Sequence, residues 1–311
     1  MMGLEILYPH SRRSPLPRRA GARAAHLPLA AIVLAAACIG AIIEGREPPL
    51  PDGREFAREV RARLRGDREL LSEYTYLEKR EEIRVSKLGH VSEGPVKVYE
   101  VYPSVEPGRT YKRLISVNGV PLSEEELAKA DRKHQDDLRR ERERRRLETP
   151  AERTRRLQRE AEKQRERAMV LDEIFEAYDI RLVGRDVVNG HRTVVATLEP
   201  RSTHRPRTEQ GELMKKLRAK AWVSESDYQI VRVEGEVIED VTVGWGIIGR
   251  LHTGTRGSYE RRKINDEVWL PSREVVEASG RALLFRTFKV HTVTEWSGYR
   301  RHVRSPRAAA P

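Results

Sequence analysis

From Ser72 onward apolar side chains recur at every second position in one run after another, the period of half-buried β-strands. Leu77, Ile83 and Val85 share one side of the first run, with Lys79 and Glu81 between them marking a half-exposed middle. Val96, Val98 and Tyr102 alternate in a second run, and Tyr111, Arg113, Ile115 and Val117 in a third. Gly89, Gly94-Pro95 and Pro107-Gly108 separate these runs, and Asn118-Gly119 signals a tight turn because both residues tolerate positive φ. Strand-like runs resume at 182–188 and 192–198 around Asn189-Gly190, at 220–223 and 228–238 around 224–227, and at 251–262 and 267–276 around Ile264-Asn265-Asp266. The last long run covers 281–296 and places Leu284, Phe288, Val290 and Trp296 on one side. The spacing predicts about ten strands in an antiparallel meander.

Two segments follow the helical period instead. Asp52 is placed to cap a helix in which Phe56, Val60 and Leu64 fall four apart, behind a stiff Pro48-Pro49-Leu50-Pro51 tether. Residues 123–167 hold 16 Lys/Arg and 13 Asp/Glu, with Leu127, Leu138, Leu147 and Leu157 as the large apolar groups. Ser123 with Glu126, and Thr149-Pro150 with Glu152, are two capping boxes, so the stretch reads as two charged helices broken near Thr149. Leucines about ten apart make no heptad seam. Only at Leu171, Ile174, Phe175 and Tyr178 does the second helix become amphipathic, so that end is expected to dock on a core while the rest projects into solvent.

Residues 27–43 carry no charge, and five arginines with a single acid precede them. Arg12, Arg13, Arg18, Arg19 and Arg23 form a positive region ahead of an apolar one, the pattern of an export signal or N-terminal anchor. Small residues ahead of Cys38 fit signal-peptidase cleavage or lipidation at Cys38, and the run is at the short edge for a retained spanning helix. The expected organisation is therefore a signal peptide or anchor over 1–45 and a single β domain over 46–311, interrupted by a charged helical insertion at 122–178. Cys38 is the only cysteine, so the chain beyond it has neither disulfide nor thiol chemistry.

The whole chain has a formal net charge of +12, which invites a nucleic-acid reading. The export segment and the interleaving of bases with acids in the insertion argue against it, and no nucleic-acid partner is expected. An anionic membrane surface remains a partner for the basic excess. No Gly-x-Ser-x-Gly, no phosphate-binding glycine loop and no His-Glu-x-x-His occurs, and the nine histidines are scattered. A non-enzymatic protein is expected, without catalytic residues, metal or cofactor. Trp222, Trp245, Trp269 and Trp296 lie in or beside strands, either as sheet packing or as part of an apolar face that holds an acyl chain.

An uncharged export segment, one amphipathic helix and a long antiparallel meander together resemble the LolA/LolB/RseB-like lipoprotein-carrier superfamily. The residues that carry the likeness are Phe56 to Leu64 entering Tyr74-Thr75-Tyr76, Trp222-Val223 with 227–231, Val268-Trp269-Leu270-Pro271, and Trp296-Ser297-Gly298-Tyr299-Arg300-Arg301. The resemblance covers 52–302 apart from the insertion. It implies an α+β, mainly antiparallel fold, a curved sheet or half-open β-barrel capped by helices, whose cavity binds a lipid or lipoprotein acyl chain in the cell envelope. The expected ligand-binding residues are Trp222, Trp269, Leu284, Phe288, Val290 and Trp296. The alternative is an envelope sensor or scaffold with a packed sheet, whose charged helices bind a protein partner.

Overall fold

Asp52 does cap a helix. Its Oδ1 accepts the backbone N–H of Arg54 at 3.0 Å and of Glu55 at 2.9 Å, and α1 runs over Gly53–Arg63. Phe56 and Val60, one turn apart, are buried against Val194 and Val223, with Leu182, Tyr228 and Ile230 around them. The computed structural model describes residues 47–64, 70–85, 90–103, 110–243, 249–282 and 286–301. The expected export segment, Cys38, Trp245 and Leu284 lie outside the described residues. None of the described helices is long and apolar enough to cross a membrane.

Fourteen strands among the described residues form one antiparallel sheet. In chain order they are β1 (Tyr74–Val85), β2 (Val91–Glu93), β3 (Lys97–Tyr102), β4 (Tyr111–Val117), β5 (Val120–Pro121), β6 (Tyr178–Val188) and β7 (His191–Pro200). There follow β8 (Leu217–Ser224), β9 (Ile230–Val237), β10 (Val241–Val243), β11 (Gly249–Leu251), β12 (Arg256–Ile264), β13 (Val268–Ala282) and β14 (Arg286–Arg301). Strands β2, β5, β10 and β11 are only two or three residues long, and the remaining ten are those the alternation announces. The expected turns form at Asn118-Gly119, Asn189-Gly190 and Asn265-Asp266, all at positive φ between 51° and 79°.

The spatial order is β5-β4-β3-β1-β14-β13-β12-β9-β8-β7-β6. A simple meander would leave the last strand at an edge. Instead β14 pairs along nearly the whole of β1, with Glu78 opposite Trp296 and Ile83 opposite His291. The sheet therefore begins and ends on strands from the middle of the chain, β5 and β6, and these two edges do not pair.

The charged stretch connects those two edges. Helix α2 (Glu124–Arg146) leaves β5, and helix α3 (Pro150–Ala177) runs directly into β6. Both capping boxes are formed, at Ser123 with Glu126 and at Thr149 with Glu152. The first turns of α2 are held on β4, where the Tyr111 hydroxyl donates to Asp131 Oδ1 at 2.7 Å and Tyr111 stacks on His134 with ring centroids 4.0 Å apart. The end of α3 docks as its amphipathic pattern predicts, with Ala177 and Tyr178 buried beside Met214, and Val170 and Ile174 against them. A short helix that the periodicity does not announce, α4 (Glu209–Met214), supplies Met214.

Two strand faces differ from those the alternation predicts. In β1 the buried residues are Tyr74, Tyr76 and Glu78, and the side carrying Leu77, Ile83 and Val85 is only partly buried. Tyr74 and Tyr76 meet the ring of Tyr299, and Lys112 Nζ satisfies Glu78 at 2.6 and 2.8 Å, so tyrosine stems and a paired acid make the better-covered side. In β3 the fully buried residue is Val101, whose side is opposite that of Val98 and Tyr102.

Candidate functional site

Residues directly opposite one another in neighbouring strands point to the same face, so the register assigns faces across the sheet. Leu198, Ala219, Gly235, Gly257, Val276 and Thr292 face one another across β7, β8, β9, β12, β13 and β14. One rung away, Ala196, Ala221, Val233 and Tyr259 continue the same face. Ala278 opposite Val290 and Gly280 opposite Phe288 extend it toward the far end of β13 and β14. Trp296 shares this side of β14, and its ring meets that of Tyr259 edge-on at 6.1 Å. The result is an apolar band with a floor of small residues, bounded on β13 by Glu274, opposite Tyr259 and Thr294, and on β1 by Arg80, Glu82 and Arg84, opposite Thr294, Thr292 and Val290. Around Gly257 the face is open, because a Cβ built there would have only the Val275 carbonyl oxygen within 4 Å. Helix α1 covers this face at Val194 and Val223, and α3 with α4 at Ile180 and Leu198. These are the strands of one flank.

The opposite face of the same strands is charged. Arg218 and Arg256 both pair with Glu236, at 2.6 and 3.1 Å, and Glu277 with His291 continues that row. Two rungs on, Arg232 approaches Glu260 at 3.6 Å, and Glu295 lies between Arg273 at 3.9 Å and Lys79 at 3.8 Å. A groove of about 520 Å³ runs over this face, lined by Arg218, Lys220, Glu234, Glu236, Arg256 and Glu277 among others. Alternating charges in neighbouring strands hold such a surface in water at little net cost or gain.

This division separates the residues that the sequence groups together. Phe288, Val290 and Trp296 lie on the apolar face, all partly buried. Trp222 follows Ala221 and so points to the charged side, where Lys220 and Arg232 approach its ring to 4.7 and 4.9 Å. It is buried in a cluster with Trp269, Val188, Val195 and Val231. Both indoles of that cluster are anchored by carboxylates. Trp222 Nε1 donates to Asp186 at 3.0 Å and Trp269 Nε1 to Asp227 at 2.8 Å. The hydrogen bond from Trp222, then that from the Val187 N–H, holds Asp186 below the usual carboxylate range. Burial would raise Asp227, but hydrogen bonds from Trp269, Ser224 and Lys263 outweigh it and lower that group too. Leu284 is outside the described residues. Thus three of the six expected ligand-binding residues share a face, and two, Trp222 and Trp269, are buried together in a packed cluster.

A polar site that no sequence pattern announces is built around Glu173. Its side chain is fully buried near the end of α3. One oxygen accepts the Arg207 N–H at 2.7 Å and lies 3.0 Å from His204 Nε2, and the other accepts the Thr208 hydroxyl at 2.6 Å. Thr208 in turn caps α4 through the Gly211 N–H at 2.9 Å. Gly211 has to be glycine, since a Cβ there would overlap the carboxylate. Burial alone would raise the Glu173 pKa, but these hydrogen bonds prevail and keep it below the usual value. In sequence Glu173 is one acid among many in a charged helix, and no local signal marks it as the buried one. Among the described residues no group of three or more His, Cys, Asp or Glu is arranged to hold a metal ion.

The chain is thus an α+β protein built on one unclosed antiparallel sheet, with an apolar band on one face, ion pairs behind it and a helical pair between its edges. No family model matches the sequence, and no curated protein matches it. Solved structures similar to it include an outer membrane lipoprotein-sorting protein domain from Vibrio parahaemolyticus, at 11% identity over 81% of this chain and 93% of that one, with a TM-score of 0.31. A LolA superfamily protein from Nitrosomonas europaea is similar at 11% identity over 81% and 94%, with a TM-score of 0.28. The MucA/MucB complex of Pseudomonas aeruginosa is similar at 11% identity over 81% and 99%, with a TM-score of 0.20. Likeness at this level says nothing of what the chain binds.

Proposed function

We propose that the protein is a non-enzymatic envelope protein that holds the acyl chain of a lipid or lipoprotein against the apolar face of its sheet. One observation carries this reading: small and apolar residues run without a charge from Leu198 through Ala219, Gly235 and Gly257 to Val276, while the reverse face of those strands is laced with ion pairs. A sheet packed only for its own stability has no need of two facing glycines in mid-strand, where they cost entropy and bury nothing. An extended hydrocarbon chain laid over Gly235 and Gly257 reaches the backbone and gains roughly 0.8 kcal/mol for each methylene removed from water. Phe288, Val290 and Trp296 flank that track on the same face. A role in lipoprotein sorting or transport is the finer form of this proposal.

Displacement of a fluorescent fatty acid by palmitate tests it. The wild-type chain is expected to bind, and Val276→Glu to weaken binding at least about tenfold, since a carboxylate against hydrocarbon has no partner. Ser258→Glu, a neighbour on the charged face, should leave binding unchanged with both variants folded by circular dichroism. Absence of acyl binding by the wild type, or equal loss in both variants, sinks the proposal. The scaffold reading predicts the first of those results.

A further inference from the structure

Between the anchors at Asp131 and His134 on one side and Asp172 on the other, α2 and α3 carry an elbow whose charge is far from balanced. Residues 139–156 contain nine arginines and four glutamates. Arg139, Arg144, Arg145, Arg146 and Arg156 pair within this neighbourhood, with Asp136, Glu141, Glu143 and Glu148. Arg140, Arg142, Arg153 and Arg155 are exposed and make no ion pair among the described residues. At the break itself Leu147, the C-cap of α2, is 68% exposed, and Leu157, two turns into α3, is 53% exposed.

At 100° per residue, the six arginines from Arg139 to Arg146 point all the way around the last two turns of α2. A protein partner would be met by one face of a helix. A ring of guanidiniums around an exposed leucine suits a surface that is negative in every direction and soft enough to take an apolar side chain. Guanidiniums also match phosphate through their paired donors. The helix C-terminus adds its negative end to the same turn, and Arg144, Arg145 and Arg146 offset it, which leaves the unpaired arginines to face outward.

We infer that this elbow is a docking tip for an anionic phospholipid surface, with Leu147 inserted among the headgroups and Arg140, Arg142, Arg153 and Arg155 on the lipid phosphates. The tip is carried on the helical link between the two edge strands of the sheet, β5 and β6. The inference does not depend on acyl binding by the apolar face.

An environment-sensitive fluorophore on Leu147→Cys, in a full-length Cys38→Ser background, reads the tip itself and not the N-terminal segment. With vesicles of equimolar phosphatidylcholine and phosphatidylglycerol its emission is expected to shift to the blue, and with phosphatidylcholine alone to stay put. The same label on Val187→Cys, an exposed position of β6, should not respond to either. Changing Arg140, Arg142, Arg153 and Arg155 to glutamine is expected to weaken the tip's partitioning by roughly a hundredfold or more, and added salt to weaken it in the parent. No blue shift with anionic vesicles, an equal shift with neutral ones, or an unchanged response in the four-arginine variant overturns the inference. A tip that responds to a soluble acidic protein and to neither vesicle overturns it in favour of a protein partner.

Discussion

Replacing Trp269 by alanine is expected to cost about 3–5 kcal/mol, a large share of the roughly 5–15 kcal/mol that holds an ordinary domain together. The indole is 2% exposed and packs with Trp222, Val188, Val195 and Val231. It also touches the His191 ring edge-on, with centroids 4.7 Å apart. Its N–H is one of the donors that hold Asp227, whose other oxygen contacts organise the turn between β8 and β9. Trp269→Phe should separate the two contributions, since it keeps most of the packed area and loses only the bond to the carboxylate, worth about 1–3 kcal/mol. Urea unfolding followed by far-ultraviolet circular dichroism measures both. A loss below about 1 kcal/mol for the alanine variant would mean that the cluster is not a core.

Removing the Glu173 carboxylate should be nearly as damaging. Glu173→Ala leaves the part-buried Thr208 hydroxyl, Arg207 N–H and His204 Nε2 without their acceptor, at about 1–3 kcal/mol for each group stranded away from water. Because α4 is capped through Thr208, the loss should be seen first in the segment from Arg201 to Met214, as faster amide exchange there. The pH dependence follows from the direction of the shift. The folded carboxyl lies below its unfolded value of about 4.3, so its contribution is fully present above that value and is lost as the pH falls through the folded pKa. Arg207 and Glu176, paired at 2.7 Å beside it, are common to the wild type and the glutamine variant and drop out of a comparison between them. Acid unfolding of Glu173→Gln should therefore show a shallower loss of stability below the unfolded value than the wild type. Parallel curves would assign the acid sensitivity to other groups.

How much of this was legible in the chain differs by element. The ten long strands, the first helix, both capping boxes and the turns at Asn118-Gly119 and Asn189-Gly190 depend on residues within a few positions of one another, and they formed as read. Face assignment did not fare so well. Phe288, Val290 and Trp296 lie on one strand, and alternation alone put them on a common side. Trp222 and Trp269 sit on other strands, and bulges at Trp222/Val223 and Glu260/Arg261 interrupt the count between them. Each bulge changes which side a downstream residue takes, and nothing local announces it. The tyrosine side of β1 was missed for a related reason. Tyr74 and Tyr76 are buried by Tyr299, which approaches only because the last strand returns to the first.

By itself the sequence determined the local elements: a capped amphipathic helix, strands punctuated by glycine, proline and asparagine, and two charged helices with a break at Thr149. These are set by backbone preference and by hydrogen bonds closed within one turn. Only the tertiary structure decided that β1 and β14 are neighbours, that the charged helices join two free sheet edges, and that across β7, β8, β9, β12 and β13 one face carries an apolar band while the other is ion-paired. Those outcomes rest on pairings between residues more than a hundred positions apart, such as Glu78 with Trp296 and Arg61 with Asp172. Such pairings are selected by the free energy of the whole sheet, and no window of the chain contains both partners.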